Sequence, residues 1–455
     1  MHPTQLFAEA VRLHGANRLP EAERFYRQVL AVSPRHADAL NMLAFLFHQT
    51  GRDRQAIPLY RKAIAITADF APYHSNLAHA LIETSDREDA LLHFRQAIRV
   101  DPCHPDAGIG LAIVLRELGR YEDSVASLRR VIEFDPDNVL AHTNLGFVLL
   151  MQGKFESGWK EMEWRIRNPE VAPAYRASSQ PRWPGPSEPT GRLLVYAEQG
   201  LGDSIQFCRY VPIAAALGLD VTLQVQSPLV RLCRSLGPNI TVVAQGQTLP
   251  RFDFQIPMMS LPAAFATSVQ TIPDVIPYLQ PEAADIERWE AHPAVKQGKG
   301  LRVGLVWSGN PQHGVAQLRS VDRQRSLDPS LLQPLLNIPD VTLFSLQKDG
   351  RVPRTLPFID LMPSVADMAD TAALIANLDL VISVDTSVAH LAAALGKPTW
   401  LLDRFNHDWR WLAGQENSPW YPTMRIYRQN VLGQWKPVIR KLANDLRTFA
   451  ALSYN

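Results

Sequence analysis

Two short segments concentrate the residue types that chemistry at a strand end needs. The first runs Gln199, Gly200, Leu201, Gly202, Asp203, Ser204, between an apolar stretch at 193–198 and a helix-like stretch from Ser204. Gly200 and Gly202 let the backbone turn tightly where helix amides point outward. Asp203 is either a first-turn acid of that helix or a carboxylate held at the mouth of a cleft, able to accept a proton. The second segment places Asp385, Thr386, Ser387 and His390 at the end of a buried strand, with Gly396 and Pro398 beyond. Thr386 or Ser387 caps the next helix, His390 falls in its first turn, and Gly396 with Pro398 stops it. Free amides, two hydroxyls and the positive end of a helix dipole converge there, which suits a diphosphate.

Other candidates follow from position. Ser308, Gly309 and Asn310 end a further strand, where open α/β sheets bind ligands. Arg325 and Ser326 are read as part of the loop beyond it, and Lys348, just past another strand, as a cation for a departing diphosphate. A nicotinamide cofactor is disfavoured: position 205, where a third glycine would fall, is Ile205, and the next strand ends in Gln224 and Gln226 instead of an acid. The literal Asp-x-Asp, Asp135 to Asp137, lies far from these segments, so no metal is expected. Trp409, Trp411 and Trp420 are read as packing for the C-terminal return of the chain, and base stacking as the lesser alternative.

The elements that must carry these residues alternate. Strand candidates at 193–198, 221–226, 241–245 and 253–257 interleave with a helix at 204–218. A helical bridge over 283–295 leads to a second series, with strands at 302–309, 341–347, 380–385 and 399–403. Its helices are expected at 328–336, 370–378, 387–396 and 436–450. Such alternation predicts parallel sheets in α/β layers, read as two Rossmann-like domains, 192–298 and 299–455, facing a cleft. Residues 169–191 are rich in proline and form a linker or a strap across a surface, pinned by Trp164 and Trp183.

The first third of the chain has a different period. Ala10, Ala44, Ala78, Ala112 and Gly146 stand 34 residues apart, as do Tyr26, Tyr60, Phe94 and Leu128, and Pro34, Ala68, Pro102 and Pro136. Small residues sit where helices cross closely, aromatics fill the space beside them, and proline keeps the second helix from running on. These residues resemble the tetratricopeptide repeat over residues 3–168, an α-helical solenoid of about five copies, the last drifting after Gly158. Trp159 and Trp164 of that last copy are expected to pack on the α/β region.

Composition sets bounds on the rest. The chain has 455 residues, 46% of them hydrophobic and 20% charged, and a formal net charge of +1. That balance gives no bulk attraction to nucleic acid or anionic membrane. No run approaches a membrane span, and the N-terminus lacks the pattern of a secretory signal. Cys103, Cys208 and Cys233 are odd in number and scattered, which fits a reducing compartment. The cytoplasm is the expected location.

The stretch from Val384 to Leu402, together with the upstream Gln199–Ser204 segment, resembles the heptosyltransferases, glycosyltransferase family 9. The resemblance implies the two-domain GT-B fold over about 192–450, with Asp203 in the place of the family's proposed general base. The family's Asp-Thr-Gly has Ser387 for glycine, a departure that bears on heptose specificity. Combined with repeats, the chain is similar to bacterial repeat-bearing glycosyltransferases, including flagellin-modifying enzymes, and in plan to protein O-GlcNAc transferases. The expectation is an inverting, metal-independent enzyme with a nucleotide-sugar donor and a protein acceptor recruited by the repeats. Gly200 and Gly202 would lie near the acceptor. Ser308, Asn310, Arg325, Lys348, Asp385, Thr386, Ser387 and His390 would bind the donor. The alternatives are a repeat scaffold whose transferase-like region has lost turnover, or a transferase acting on a glycan or lipopolysaccharide.

Overall fold

The computed structural model describes residues 2–168, 179–188, 190–309, 316–348 and 356–452, without the side chains of 316–320. The chain divides into two compact units, Met1–Leu149 and Leu150–Asn455.

The first unit is helical throughout. Its antiparallel pairs are α1 (Pro3–Gly15) with α2 (Leu19–Val32), α3 (Ala37–Gln49) with α4 (Asp53–Ile66), α5 (Ala71–Glu83) with α6 (Arg87–Val100), and α7 (Pro105–Glu117) with α8 (Tyr121–Phe134). A ninth helix, α9, spans Val139–Met151. The residues of the 34-residue step lie at the crossings: Ala10, Ala44, Ala78 and Ala112 are buried, and Tyr26, Tyr60, Phe94 and Leu128 have no exposed surface. A second set keeps the same step. Asn17, Gly51, Ser85, Gly119 and Gly153 all have left-handed backbone, φ between 56° and 74°. Each terminates the first helix of its pair. Glycine fills this position in three copies because a Cβ there is strained.

The second unit contains two sheets in which every pairing between strands is parallel. In the first, β1 (Arg192–Tyr196), β2 (Asp220–Val225), β3 (Ile240–Ala244) and β4 (Phe254–Pro257) lie in the order β3-β2-β1-β4. In the second, β5 (Leu301–Val306), β6 (Val341–Ser345), β7 (Ile359–Asp360), β8 (Leu380–Val384), β9 (Thr399–Asp403) and β10 (Met424–Arg428) lie in the order β10-β9-β8-β5-β6-β7. The strand order reverses at β1 in one sheet and between β8 and β5 in the other. Crevices open beyond the C-terminal ends of strands at such points. β8 and β9 are buried along their whole length, Ser383, Thr399 and Asp403 included, as in strands covered on both faces.

Some elements differ from expectation for local reasons. The helix after β1 starts at Leu201, not Ser204, and is interrupted by a 3-10 turn at Cys208–Tyr210 just before Pro212. The predicted helix at 328–336 is two short turns, Pro329–Leu332 and Gln333–Leu336, because Pro329 and Pro334 each restart it. Arg325 is not in a loop: it is the last residue of a helix, Ala316–Arg325. β10 escapes the pattern of the sequence, because Arg425 and Arg428 break the apolar run of this edge strand.

The strap is extended where it is described. Arg182 forms a one-residue parallel bridge with Gln255 of β4, and Trp183 is buried. The helix Phe155–Met162 belongs to this unit. Trp159 donates to the Thr267 carbonyl at 2.9 Å and meets Trp409 edge-on, while Phe155 stacks on Trp420. Trp164 is half-buried under the Arg167 guanidinium. Among the described residues no helix is long and apolar enough to cross a membrane, and no group of three or more His, Cys, Asp or Glu is placed to hold a metal.

Candidate active site

A cleft of about 580 Å³ opens beyond the C-terminal ends of β1, β5, β6 and β8. From the first sheet it is lined by Gly200, Gly202 and Asp203, and from the second by Ser308, Arg325, Lys348, Asp385, Thr386, Ser387 and His390. These residues, with Gly309, therefore share one cavity, although the two motifs lie far apart along the chain; Ser326 is not in its lining and its hydroxyl accepts from the Gly309 amide at 3.1 Å. Asn310 lies outside the described residues.

The turn after β1 is tightly built. Gln199 has φ 55°, a left-handed conformation costly for a side chain other than glycine. Gly200 caps the helix, and Asp203, its third residue, reaches back to accept from the Gly200 amide at 2.9 Å. That satisfies the capping role, and the second carboxylate oxygen faces Arg410, which donates to it. Burial raises the Asp203 pKa, while the Arg410 charge and the Gly200 amide pull it down. Gly202 permits close approach across the cleft: a Cβ there would lie 3.0 Å from Cδ2 of His390.

Across the cleft, Thr386 is the N-cap of the helix Ser387–Ala394, and Gly396, φ 75°, follows its C-cap. The Thr386 hydroxyl is 3.0 Å from Ser383 Oγ and does not cap its own helix. The N-terminus thus faces the cleft with its first amides uncapped by a side chain. His390 does not extend into this space as a free ligand. Its Nδ1 is 2.9 Å from the Tyr421 hydroxyl, its ring stacks on Trp411, and it is buried. Burial and the nearby Arg410 lower its pKa to about 3, so the ring is neutral near pH 7. Its Nε2 stands 3.9 Å from Asp385 Oδ1, whose own pKa is raised by burial and by Asp408.

Arg325 is committed to scaffolding. It donates to Asp322 Oδ1 at 2.9 Å and to the Asp385 carbonyl at 2.9 Å, fixing the β8 turn from the second sheet's own side. Ser308 contributes its backbone, donating to Gln347 Oε1 at 3.0 Å. Lys348 is exposed at the rim, with no acidic partner among the described residues.

Two charged residues of this site, Asp408 and Arg410, escape a reading of the sequence. They alternate with Trp409 and Trp411, and the aromatics dominate the segment's appearance. All three tryptophans, 409, 411 and 420, are buried packing residues. Arg410 crosses between the sheets, joining Asp408 at 2.8 Å to Asp203 and to Gln206. Two other arginines tie the same layers together. Arg209 donates to the Trp420 carbonyl at 2.8 Å, and Arg231 pairs with Asp285, Asp367 and Asp370.

Comparison with known proteins bears on this arrangement. Residues 13–80 match the tetratricopeptide repeat and residues 112–153 a further repeat model of that class. Residues 349–402, which include the Asp385–His390 turn, match glycosyltransferase family 9 (heptosyltransferase). The repeat matches fall on the helix pairs of the first unit, and the glycosyltransferase family 9 match falls on the stretch that holds β8 and the turn after it. It is 30% identical over 328 residues to Protein FlbA of Caulobacter vibrioides, a match covering 65% of this chain and 52% of that protein. The chain thus spans about half the length of the curated relative it matches. Solved structures similar to part of the chain include MamA (18% identity, 39% of this chain and 98% of that one, TM-score 0.34). A thermophilic repeat protein of Thermus thermophilus is another (18%, 38% and 95%, TM-score 0.34). At these scores the matches add nothing to the repeat assignment, which rests on the helix pairs and their 34-residue step.

Proposed function

We propose that the chain is an inverting, metal-independent glycosyltransferase of the GT-B type, moving a sugar from a nucleotide-sugar donor to an acceptor hydroxyl. The observation that carries this reading is the meeting of Asp203 and the Asp385–Ser387 turn in one cleft at the C-terminal ends of two parallel sheets. The nucleotide diphosphate would lie against the N-terminus of the helix Ser387–Ala394, whose dipole and free amides favour negative charge. Lys348 at the rim would neutralise the leaving group. The apolar part of the lining, Val306, Leu346, Met362 and Met368, offers surface of the kind a nucleobase requires. Asp203 would take the acceptor proton as the hydroxyl oxygen attacks the anomeric carbon, and the bond to the diphosphate breaks with its electron pair. The repeats would present the acceptor, which favours a polypeptide over a glycan.

Calorimetric titration of the full chain with ADP, UDP, GDP and CMP tests the donor half of this reading. One nucleotide should bind, and Lys348→Ala should weaken it about tenfold, the value of one charge-assisted contact. Absence of binding by all four, or binding indifferent to both Lys348→Ala and Thr386→Val, would place the donor elsewhere.

A further inference from the structure

Arg410 is buried, yet no reading of the motifs assigns it a task. Its guanidinium has acceptors on three sides: Nε donates to Gln206 Oε1, Nη1 to Asp408 Oδ1 at 2.8 Å, and Nη2 to Asp203 Oδ1. Gln206 and Asp203 lie on the helix Leu201–Phe207 after the first sheet's β1, whereas Asp408 and Arg410 lie between β9 and β10 of the second. Asp408 also accepts from the Arg410 backbone amide at 3.1 Å, so the arginine is held from its own turn as well. A guanidinium fixed by three planar acceptors cannot swing toward a ligand without breaking all of them. Such an arrangement aims a neighbour.

We propose that Arg410 is the positioning residue of this cleft: it fixes the Asp203 carboxylate in direction and keeps it ionised, so that the turn after β9 controls a base carried by the other sheet. The role as a base rests on the glycosyl-transfer reading, while the control by Arg410 does not. Asp203 has one oxygen on the Gly200 amide and one on Arg410. Each oxygen has a second lone pair, and Asp203 lines the cleft in which an acceptor hydroxyl would meet it. Arg410 and Asp408 face Asp203 from the turn after β9, and Glu198 from the end of β1; His390 approaches from the helix Ser387–Ala394 and is neutral. Glu198 is itself paired with Arg165 at 2.7 Å. Removing Arg410 therefore takes away the largest favourable charge beside a buried carboxylate and leaves Asp408 and Glu198 as its charged neighbours, so its protonation becomes easier. Removing the charge of Asp408 acts in the opposite sense, since it withdraws a negative neighbour and leaves Arg410 to Asp203 alone.

The two substitutions separate control of charge from simple support. The full-length protein, as wild type, Arg410→Gln, Arg410→Lys and Asp408→Asn, is treated with a water-soluble carbodiimide and glycine amide over pH 4.5–8, and Asp203 labelling is read by peptide mass spectrometry. A protonated carboxyl reacts and an ionised one does not, so the midpoint reports the charge state without any turnover. In Arg410→Gln the midpoint should rise by about one pH unit or more. In Arg410→Lys it should stay near wild type, and in Asp408→Asn it should fall. Far-ultraviolet circular dichroism identifies any variant that fails to fold, and Arg410→Lys with Asp408→Asn still decide the matter if Arg410→Gln does. An unchanged midpoint in folded Arg410→Gln, shifts of the same sign in Arg410→Gln and Asp408→Asn, or no labelling of Asp203 in any protein each overturn the proposal. Release of nucleoside diphosphate from nucleotide sugars, measured in the same preparations, reports separately on glycosyl transfer.

Discussion

His390 illustrates how one side chain can sit in a candidate binding turn and serve its structure. Tyr421, Trp411 and the close pass of Gly202 fix the imidazole, and burial keeps it neutral. His407 is similar, with burial lowering its pKa to about 4. Both values lie below the ordinary histidine value of about 6.5. Between them and pH 6.5 the unfolded chain binds protons that the folded chain does not, so stability rises with pH through that window and is lost on acidification. Each group contributes up to about 1.4 kcal/mol per pH unit there and nothing above it. Urea midpoints should fall from pH 6.5 to pH 4.5, and His390→Gln, which cannot charge, should make the fall shallower. An identical slope in that variant would mean that His390 is already protonated in the native protein.

Elements fix where such residues meet, and here the sequence is informative only up to a point. The apolar runs at 193–196 and 380–384 show as strands because burial on both faces leaves no polar alternation, and the turns after them carry their own signals in Gly200, Thr386 and Gly396. The meeting of those turns was legible, because parallel strands end at one edge. The hydrogen-bond partners were not. Arg410 and Asp408 reach Asp203 only through a return of the chain after β9, and nothing local distinguishes them from surface charges flanking tryptophans. The same holds for Arg165. It lies in a 3-10 turn at 163–167 and pairs with Glu198 at the end of β1, both side chains being almost wholly buried. Glu198 also accepts from the Met259 amide at 3.0 Å, so this pair anchors β1 just before the glycine turn. Arg165→Ala would leave the buried Glu198 carboxylate without its arginine and should cost about 3–5 kcal/mol by denaturant unfolding. A loss below about 1 kcal/mol would show the pair to behave as a surface contact.

The division between the two compact units at Leu149 falls inside the fifth hairpin, and Phe155 and Trp159 beyond it contact Trp409 and Trp420. A fragment starting at Val139 should therefore stay soluble and keep nucleotide binding while losing transfer to a protein acceptor. A fragment starting at Arg192 lacks Trp159 and Arg165, exposes their partners and should aggregate. Equal modification of an intact protein acceptor by the Val139 fragment and the full chain would remove the repeats from acceptor selection.

Glycosyl transfer by the cleft is tested most directly by release of nucleoside diphosphate from a panel of nucleotide sugars, comparing the full chain with Asp203→Asn. One donor should be turned over by the wild type. The asparagine variant should release product about 10²–10⁴-fold more slowly with unchanged affinity for the nucleotide. Turnover of no donor by the wild type, or wild-type rates in Asp203→Asn, would contradict an enzyme whose base is Asp203.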